Sequence, residues 1–129
     1  MPNKVTFPQR PESHPMIYAY SENNPMYAGM LKIGYTKHDV EKRVAQQYHT
    51  LRPGGKPYKI VFAESAMYND GGAFMDHDIH RWLEKHGFKR MEGEWFQCTV
   101  EDVRAAWIAV KSRSDNEEQR TRDFGMRPE

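Results

Sequence analysis

Two short segments near the front of the chain, Pro15-Met16-Ile17-Tyr18-Ala19-Tyr20 and Leu31-Lys32-Ile33-Gly34-Tyr35-Thr36, lie close enough in sequence to pair as a hairpin. Both read as β-strands, the first over Met16 to Tyr20 and the second over Met30 to Tyr35. Between them, Ser21-Glu22-Asn23-Asn24-Pro25 has turn composition, and Gly29 marks a bulge or a wider loop. Strand side chains alternate, so Tyr18 and Tyr20 share one face while Ile17 turns to the core. A helical stretch carrying Arg43 follows directly. Such an order brings two tyrosines, a strand glycine and a helix arginine onto one small surface.

The helix is predicted from Asp39 to about Tyr48, with Thr36 or His38 near its cap. Asp39 and Glu41 then occupy the first turn, where the positive end of the helix dipole favours acids. Val40, Val44 and Tyr48 recur at i, i+4 and i+8 and form the stripe that packs on the sheet. Arg43 lies one residue off that stripe, within reach of the tyrosines along the sheet edge.

Leu51 to Pro57 is rich in proline and glycine and reads as a loop, and Tyr58 to Ala63 as a third strand. After Gly71-Gly72 a second helix runs from about Ala73 to Lys85, through Phe74, Ile79, Trp82 and Leu83, and stops at Gly87. Glu94-Trp95-Phe96-Gln97-Cys98 is a short strand or extended piece with Trp95 as a core anchor. Thr99 caps a third helix, to about Lys111, through Val103, Ala106, Trp107 and Val110. The fold class is α/β or α+β: a small sandwich of three to four mainly antiparallel strands flanked by three helices. Residues 1–14, with Pro2, Pro8 and Pro11, read as a flexible lead, and residues 112–129 as a charged linker.

A chain of 129 residues supports one domain with a single modest core. No run approaches the roughly 18 apolar residues of a membrane span, so no membrane role is expected. The start has no apolar signal core, and the lone Cys98 makes no internal disulfide, which together point to the cytoplasm. Net charge is only +1, but seven basic residues face two acidic ones between positions 32 and 59. Lys32, Lys37, Lys42, Arg43, Arg52, Lys56 and Lys59 form the kind of stripe that phosphate binding requires.

Over roughly residues 15 to 98 the chain resembles the GIY-YIG nuclease superfamily. Met16-Ile17-Tyr18 stands where Gly-Ile-Tyr would be, and Lys32-Ile33-Gly34 where Tyr-Ile-Gly would be. Asp39-Val40-Glu41-Lys42-Arg43-Val44 is similar to the arginine helix. Asp76-His77-Asp78-Ile79-His80 followed by Glu94-Trp95-Phe96 resembles the later acidic helix and Glu-Trp-Phe motif. The resemblance implies metal-dependent hydrolysis of a DNA phosphodiester. In that reading Tyr18 is the general base and Arg43 holds the scissile phosphate. Lys32, Gly34, Tyr35 and Lys42 contact phosphate. Asp76, or alternatively Glu94, holds Mg2+ or Mn2+.

On a helix Asp76 and His80 share a face at i, i+4, so His80 is expected to bond phosphate or a carboxylate, whereas Asp78 faces water. Asp76 with His80 is placed to hold or orient one metal, and His77 with His80, without further ligands, is a weak signal for zinc.

Lys32 stands in place of the second motif tyrosine and cannot act as a neutral phenol, so Tyr35 or Tyr27 is a candidate to supply that hydroxyl. Three readings follow: a DNA endonuclease, a non-catalytic DNA-binding module, and a protein-interaction scaffold. The tail Asp123-Phe124-Gly125-Met126-Arg127-Pro128 resembles the opening of superfamily 2 helicase cores, which makes a helicase domain an expected neighbour and a dimer on DNA an expected assembly.

Overall fold

A computed structural model describes residues 14–48 and 55–112. The lead before His14, Arg52 with the first part of its loop, and the linker and tail from residue 113 lie outside the described residues.

Five strands form one antiparallel sheet in the order β3-β1-β2-β5-β4. They are β1 (Met16–Glu22), β2 (Met30–Thr36), β3 (Tyr58–Ser65), β4 (Lys89–Glu92) and β5 (Trp95–Gln97). Three helices complete the α+β fold: α1 (Val40–Ala45), α2 (Asp76–Lys85) and α3 (Val100–Lys111). The sheet has one strand more than the sequence suggested. The addition, β4, is exposed along its whole length and reads Lys-Arg-Met-Glu. It has no apolar alternation to betray it, and its charges suit a sheet edge that must not pair with other chains.

Alternation along β1 and β2 sorts the molecule into two faces. Ile17, Ala19, Leu31 and Ile33 join Phe62, Ile79, Leu83, Phe96, Val103 and Ala106 in the main core beneath α2 and α3. Tyr18 and Tyr20 point the other way and pack with Val44 and Tyr58 beneath α1. On β3, the register slips between the partners of Ala19 and Tyr20, so that Phe62 and Ile60 are paired and Val61 is the extra residue. This bulge lets Val61 and Phe62 both reach the main core while Ile60 reaches the tyrosine side.

Helix boundaries follow their capping groups. Asp39 is the N-cap of α1, its Oδ1 accepting from Glu41 N–H at 2.9 Å, rather than a first-turn residue. The helix ends at Ala45, and tighter i to i+3 bonds from Gln47 N–H to Val44 and from Tyr48 N–H to Ala45 finish the turn. α2 starts at Asp76 rather than Ala73, because Ala73 bridges Met67 and Phe74 N–H donates to Ala66 in extended backbone. At its far end Gly87, with φ +89°, turns the chain so that Phe88 N–H donates back to Leu83. Thr99 caps α3 as expected, in a reciprocal box with Asp102.

Candidate active site

β1 and β2 pair so that Tyr18 lies opposite Gly34 and Tyr20 opposite Lys32. A Cβ built at Gly34 would collide with the Tyr18 hydroxyl and ring carbon, so this strand position admits only glycine while the phenol lies across it. Tyr18 and Tyr20 stack with centroids 6.2 Å apart and planes 12° from parallel. Tyr20 is enclosed further by Tyr48, Tyr58 and Trp95. Burial, then a hydrogen bond with Tyr48, pushes the Tyr20 phenol well above its usual range, so it stays neutral.

Beside this pair the sheet is incomplete. β5 pairs only with Met30, Leu31 and Lys32, so β2 runs on past it. The start of α2 and the Gly93-Glu94 turn meet at this notch. Asp76, 6% exposed, sits on the first residue of α2, where the helix dipole favours a carboxylate. Its side chain shares a hydrogen bond with Glu94, whose pKa is raised by burial and then by the negative charge of Asp76. Lys32 Nζ stands 4.0 Å from Glu94 Oε1 and its pKa is lowered, chiefly by desolvation, with Glu94 opposing the shift. The Arg43 charge acts on both Lys32 and Glu94. Arg43 is exposed, and its guanidinium makes no hydrogen bond or ion pair to another described residue.

A buried and a half-buried carboxylate that face each other repel unless a proton or a cation lies between them. Their oxygens are hard ligands, which suits Mg2+ or Mn2+ with much of the hydration shell retained. Among the described residues no group of three or more histidine, cysteine or acidic side chains is placed to hold a metal, so the donor set does not fit zinc. The fold thus brings Asp76 and Glu94 together, where the sequence had left them as alternatives.

Several residues sit differently from their expected places. His80 is 3% exposed and turned into the core, with Nε2 2.9 Å from the Ile33 carbonyl and Nδ1 3.2 Å from Arg90 Nη2. An arginine only donates, so Nδ1 must accept and Nε2 must carry the proton to Ile33: both bonds demand the same neutral tautomer. Burial lowers its pKa, in keeping with that form. Its Nε2 also lies 4.0 Å from Asp76 Oδ2, the i, i+4 carboxylate, while its two hydrogen bonds pin α2 and β4 to β2 one residue before Gly34. Tyr35 turns to the opposite face and packs on the main core, because it is one residue out of phase with Gly34. Tyr27 packs on Trp95, with ring centroids 4.4 Å apart and planes tilted by 33°, instead of entering the tyrosine pair. Asp78 is only half exposed; it accepts from Met75 N–H and pairs with Arg81 at 2.6 Å. Cys98 is buried, and burial pushes its thiol up to about 12, which removes it as a nucleophile.

The basic stripe is divided by the fold. Lys56 is drawn to Glu41 at 3.4 Å. Lys37, Lys42 and Arg43 line a groove of about 410 Å³ between the end of β2 and α1, with Tyr35 and His38 also on its wall. This groove leads from open solvent to Arg43.

One residue in the constellation carried no signal in the sequence. Gln47 Oε1 accepts from Tyr20 Oη at 2.6 Å and Lys32 Nζ at 2.7 Å, while its Nε2 donates to Tyr18 Oη at 3.0 Å. A glutamine at a helix end is ordinary surface composition, and only the shortened α1 turns it towards the strands.

A family model, that of the T5orf172 domain, matches residues 16–111, from the first residue of β1 to the last of α3. No curated protein and no solved structure matches the chain. The chain thus belongs to the T5orf172 domain family, a family of nuclease-like or DNA-binding domains associated with phage-type, GIY-YIG-like proteins.

Proposed function

We propose that this domain is a divalent-metal-dependent endonuclease that hydrolyses a DNA phosphodiester. The observation that carries this reading is the notch itself: Arg43, whose guanidinium has no partner among the described residues, and the Asp76–Glu94 pair act on a desolvated Lys32, which Gln47 links to the Tyr18 hydroxyl.

Negative charge builds on the nonbridging oxygens as water attacks phosphorus, and a guanidinium offers those oxygens two donors in one plane. Arg43 supplies that fork, and Lys42 and Lys37 guide the neighbouring backbone along the groove. Tyr18, in its deprotonated form, takes the proton of the attacking water as the new P–O bond forms. The P–O bond to the leaving oxygen breaks, and solvent protonates that oxygen. Asp76 and Glu94 would hold a divalent cation, which supplies Lewis-acid stabilisation of phosphate charge. His80 acts at one remove, as a positioning residue that holds Ile33 and thus Gly34 in place for Tyr18.

A site for one phosphate makes a nick, and double-strand cutting then requires two copies. Linear product should rise more steeply than nicked product as protein concentration increases.

Supercoiled plasmid with Mg2+ or Mn2+ tests the main reading. The wild type is expected to nick it, and Tyr18→Phe, Arg43→Ala and Asp76→Ala each to lower nicking by about 10²–10³-fold. A second reading, a DNA-binding module without cleavage, is favoured by one observation: Tyr18 is 1% exposed and its oxygen is already covered by Gln47. Salt-sensitive plasmid binding that leaves the DNA intact selects that reading.

A further inference from the structure

Tyr18 and Tyr20 are chemically identical phenols two residues apart on one strand, yet a single side chain treats them in opposite ways. The orientation of the Gln47 amide is forced by its neighbours. An ammonium has no acceptor, so the Lys32 Nζ contact at 2.7 Å must run to Oε1, and Nε2 is left facing Tyr18 and, at 3.4 Å, the Arg43 carbonyl. Tyr20, 2.6 Å from the same Oε1, must donate to it. The Tyr18 oxygen therefore accepts a hydrogen bond while the Tyr20 oxygen gives one.

This asymmetry has a chemical consequence. A donor on a phenol oxygen favours negative charge there, and a phenol that donates to an amide oxygen is held in its neutral form. The Lys32 charge lies on the far side of the same amide, and hydrogen bonds in series polarise one another when water is scarce. The N–H aimed at Tyr18 is thus a stronger donor than an isolated amide. The surrounding charges are Lys32 and Glu94 at the notch, Arg43 on α1, and Asp76 on α2.

We propose that Gln47 is the positioning residue that makes Tyr18, and not Tyr20, the proton acceptor, by relaying the Lys32 charge to the Tyr18 hydroxyl through its side-chain amide. The proposal rests on the nuclease reading and deepens it. It also gives Lys32 a role where the superfamily resemblance leads one to expect a tyrosine: the lysine acts on Tyr18 through Gln47 rather than replacing a phenol.

The discriminating variant is Gln47→Glu, which keeps the size and the acceptor for Lys32 and Tyr20 but removes the donor to Tyr18. Gln47→Ala is the second variant, should the carboxylate disturb folding next to Glu94. Plasmid nicking with Mg2+ should lose about a hundredfold in kcat in either variant, as expected for an impaired proton acceptor, with KM for DNA within about threefold. Adding Tyr18→Phe to Gln47→Glu should cost little more than Tyr18→Phe alone, because both remove the same function. A wild-type kcat in both single variants, or a loss confined to KM, overturns the proposal.

A second readout does not depend on cleavage. In protein labelled at tyrosine 13Cζ, with Tyr18 and Tyr20 assigned by their phenylalanine variants, Gln47→Glu should move the Tyr18 resonance towards that of a donating phenol and leave Tyr20 nearly in place. An unmoved Tyr18 resonance sinks the hydrogen-bond assignment and the relay with it. A moved resonance in a wild-type protein that does not nick upholds the network and rejects the nuclease reading instead.

Discussion

The two faces of the sheet use the same strands for opposite ends. Beneath α2 and α3, Ile17, Ala19, Leu31 and Ile33 are apolar and lie in a dry core. One residue along, Tyr18, Tyr20 and Lys32 carry polar atoms that meet on Gln47, and Gly34 has no side chain at all. The first face holds the fold by removing apolar area from water, which needs volume but little direction. The second needs direction, because each phenol, ammonium and carboxylate must meet a partner or a substrate. Stability and chemistry should therefore separate at adjacent residues.

The largest effects should appear when one residue from each face is exchanged. Ile33→Ala leaves a cavity in the core and should cost about 2–5 kcal/mol in urea unfolding. Arg43→Ala should leave the unfolding midpoint within about 0.5 kcal/mol of wild type while lowering nicking by about 10²–10³-fold. A common loss of stability in both variants would erase the distinction between the faces.

Gly34→Ala tests where the faces are most tightly bound to each other. The new methyl displaces the Tyr18 ring, so about 1–3 kcal/mol of stability and most of the nicking should go together. A stable, active Gly34→Ala protein would show that the ring does not rest on this backbone.

His80 links the core to the site, and its effect should depend on pH. Its folded pKa lies below the 6.5 of the unfolded chain, chiefly through burial. The unfolded chain thus takes up the proton first as pH falls. The stabilisation is complete above about 6.5 and is lost as pH drops towards the folded value, by at most about 1.4 kcal/mol per pH unit. Urea midpoints taken between pH 7.5 and pH 5, at intervals of about half a unit, should show this slope in wild type and a shallower one in His80→Gln.

The smallest effect is expected at the carboxylate pair. The Glu94 pKa is raised in the folded state, so its contribution is favourable below the unfolded value of 4.5 and lost as pH rises through the folded one. At neutral pH without metal, Glu94→Gln should melt no lower than wild type. Millimolar Mg2+ should raise the melting midpoint of wild type and leave that of Glu94→Gln or Asp76→Asn unchanged. An equal shift in all three would place the ion elsewhere.

Local signals made much of the fold legible. The alternation in β1 and β2, the Val40–Val44–Tyr48 stripe, Thr99 as a cap and Gly87 as a stop all act within a few residues of themselves. What escaped depended on neighbours distant in sequence. α2 begins three residues late because Met67 and Ala66 hold Ala73 and Phe74 in extended backbone. β4 has no pattern of its own because its pairing with β5 alone makes it a strand. Among site residues, the shared face of Tyr18, Tyr20, Lys32 and Gly34 follows from a period of two. The inward turn of His80 does not, since helix spacing matches it to Asp76 while the Ile33 carbonyl and Arg90 claim both its nitrogens.

The sequence by itself determined which side chains share a strand face, where α3 is capped, and which residue types were available for phosphate and metal chemistry. Those properties come from backbone geometry repeated every two or 3.6 residues, and they need no knowledge of the rest of the chain. Only the tertiary structure decided that Asp76 and Glu94 meet, that the Arg43 guanidinium has no partner among the described residues, and that Gln47 sets two like tyrosines apart. Hydrogen bonds and charges act over a few ångströms in space. A residue's role in such a network is therefore settled by which distant segments the packed sheet brings within that range.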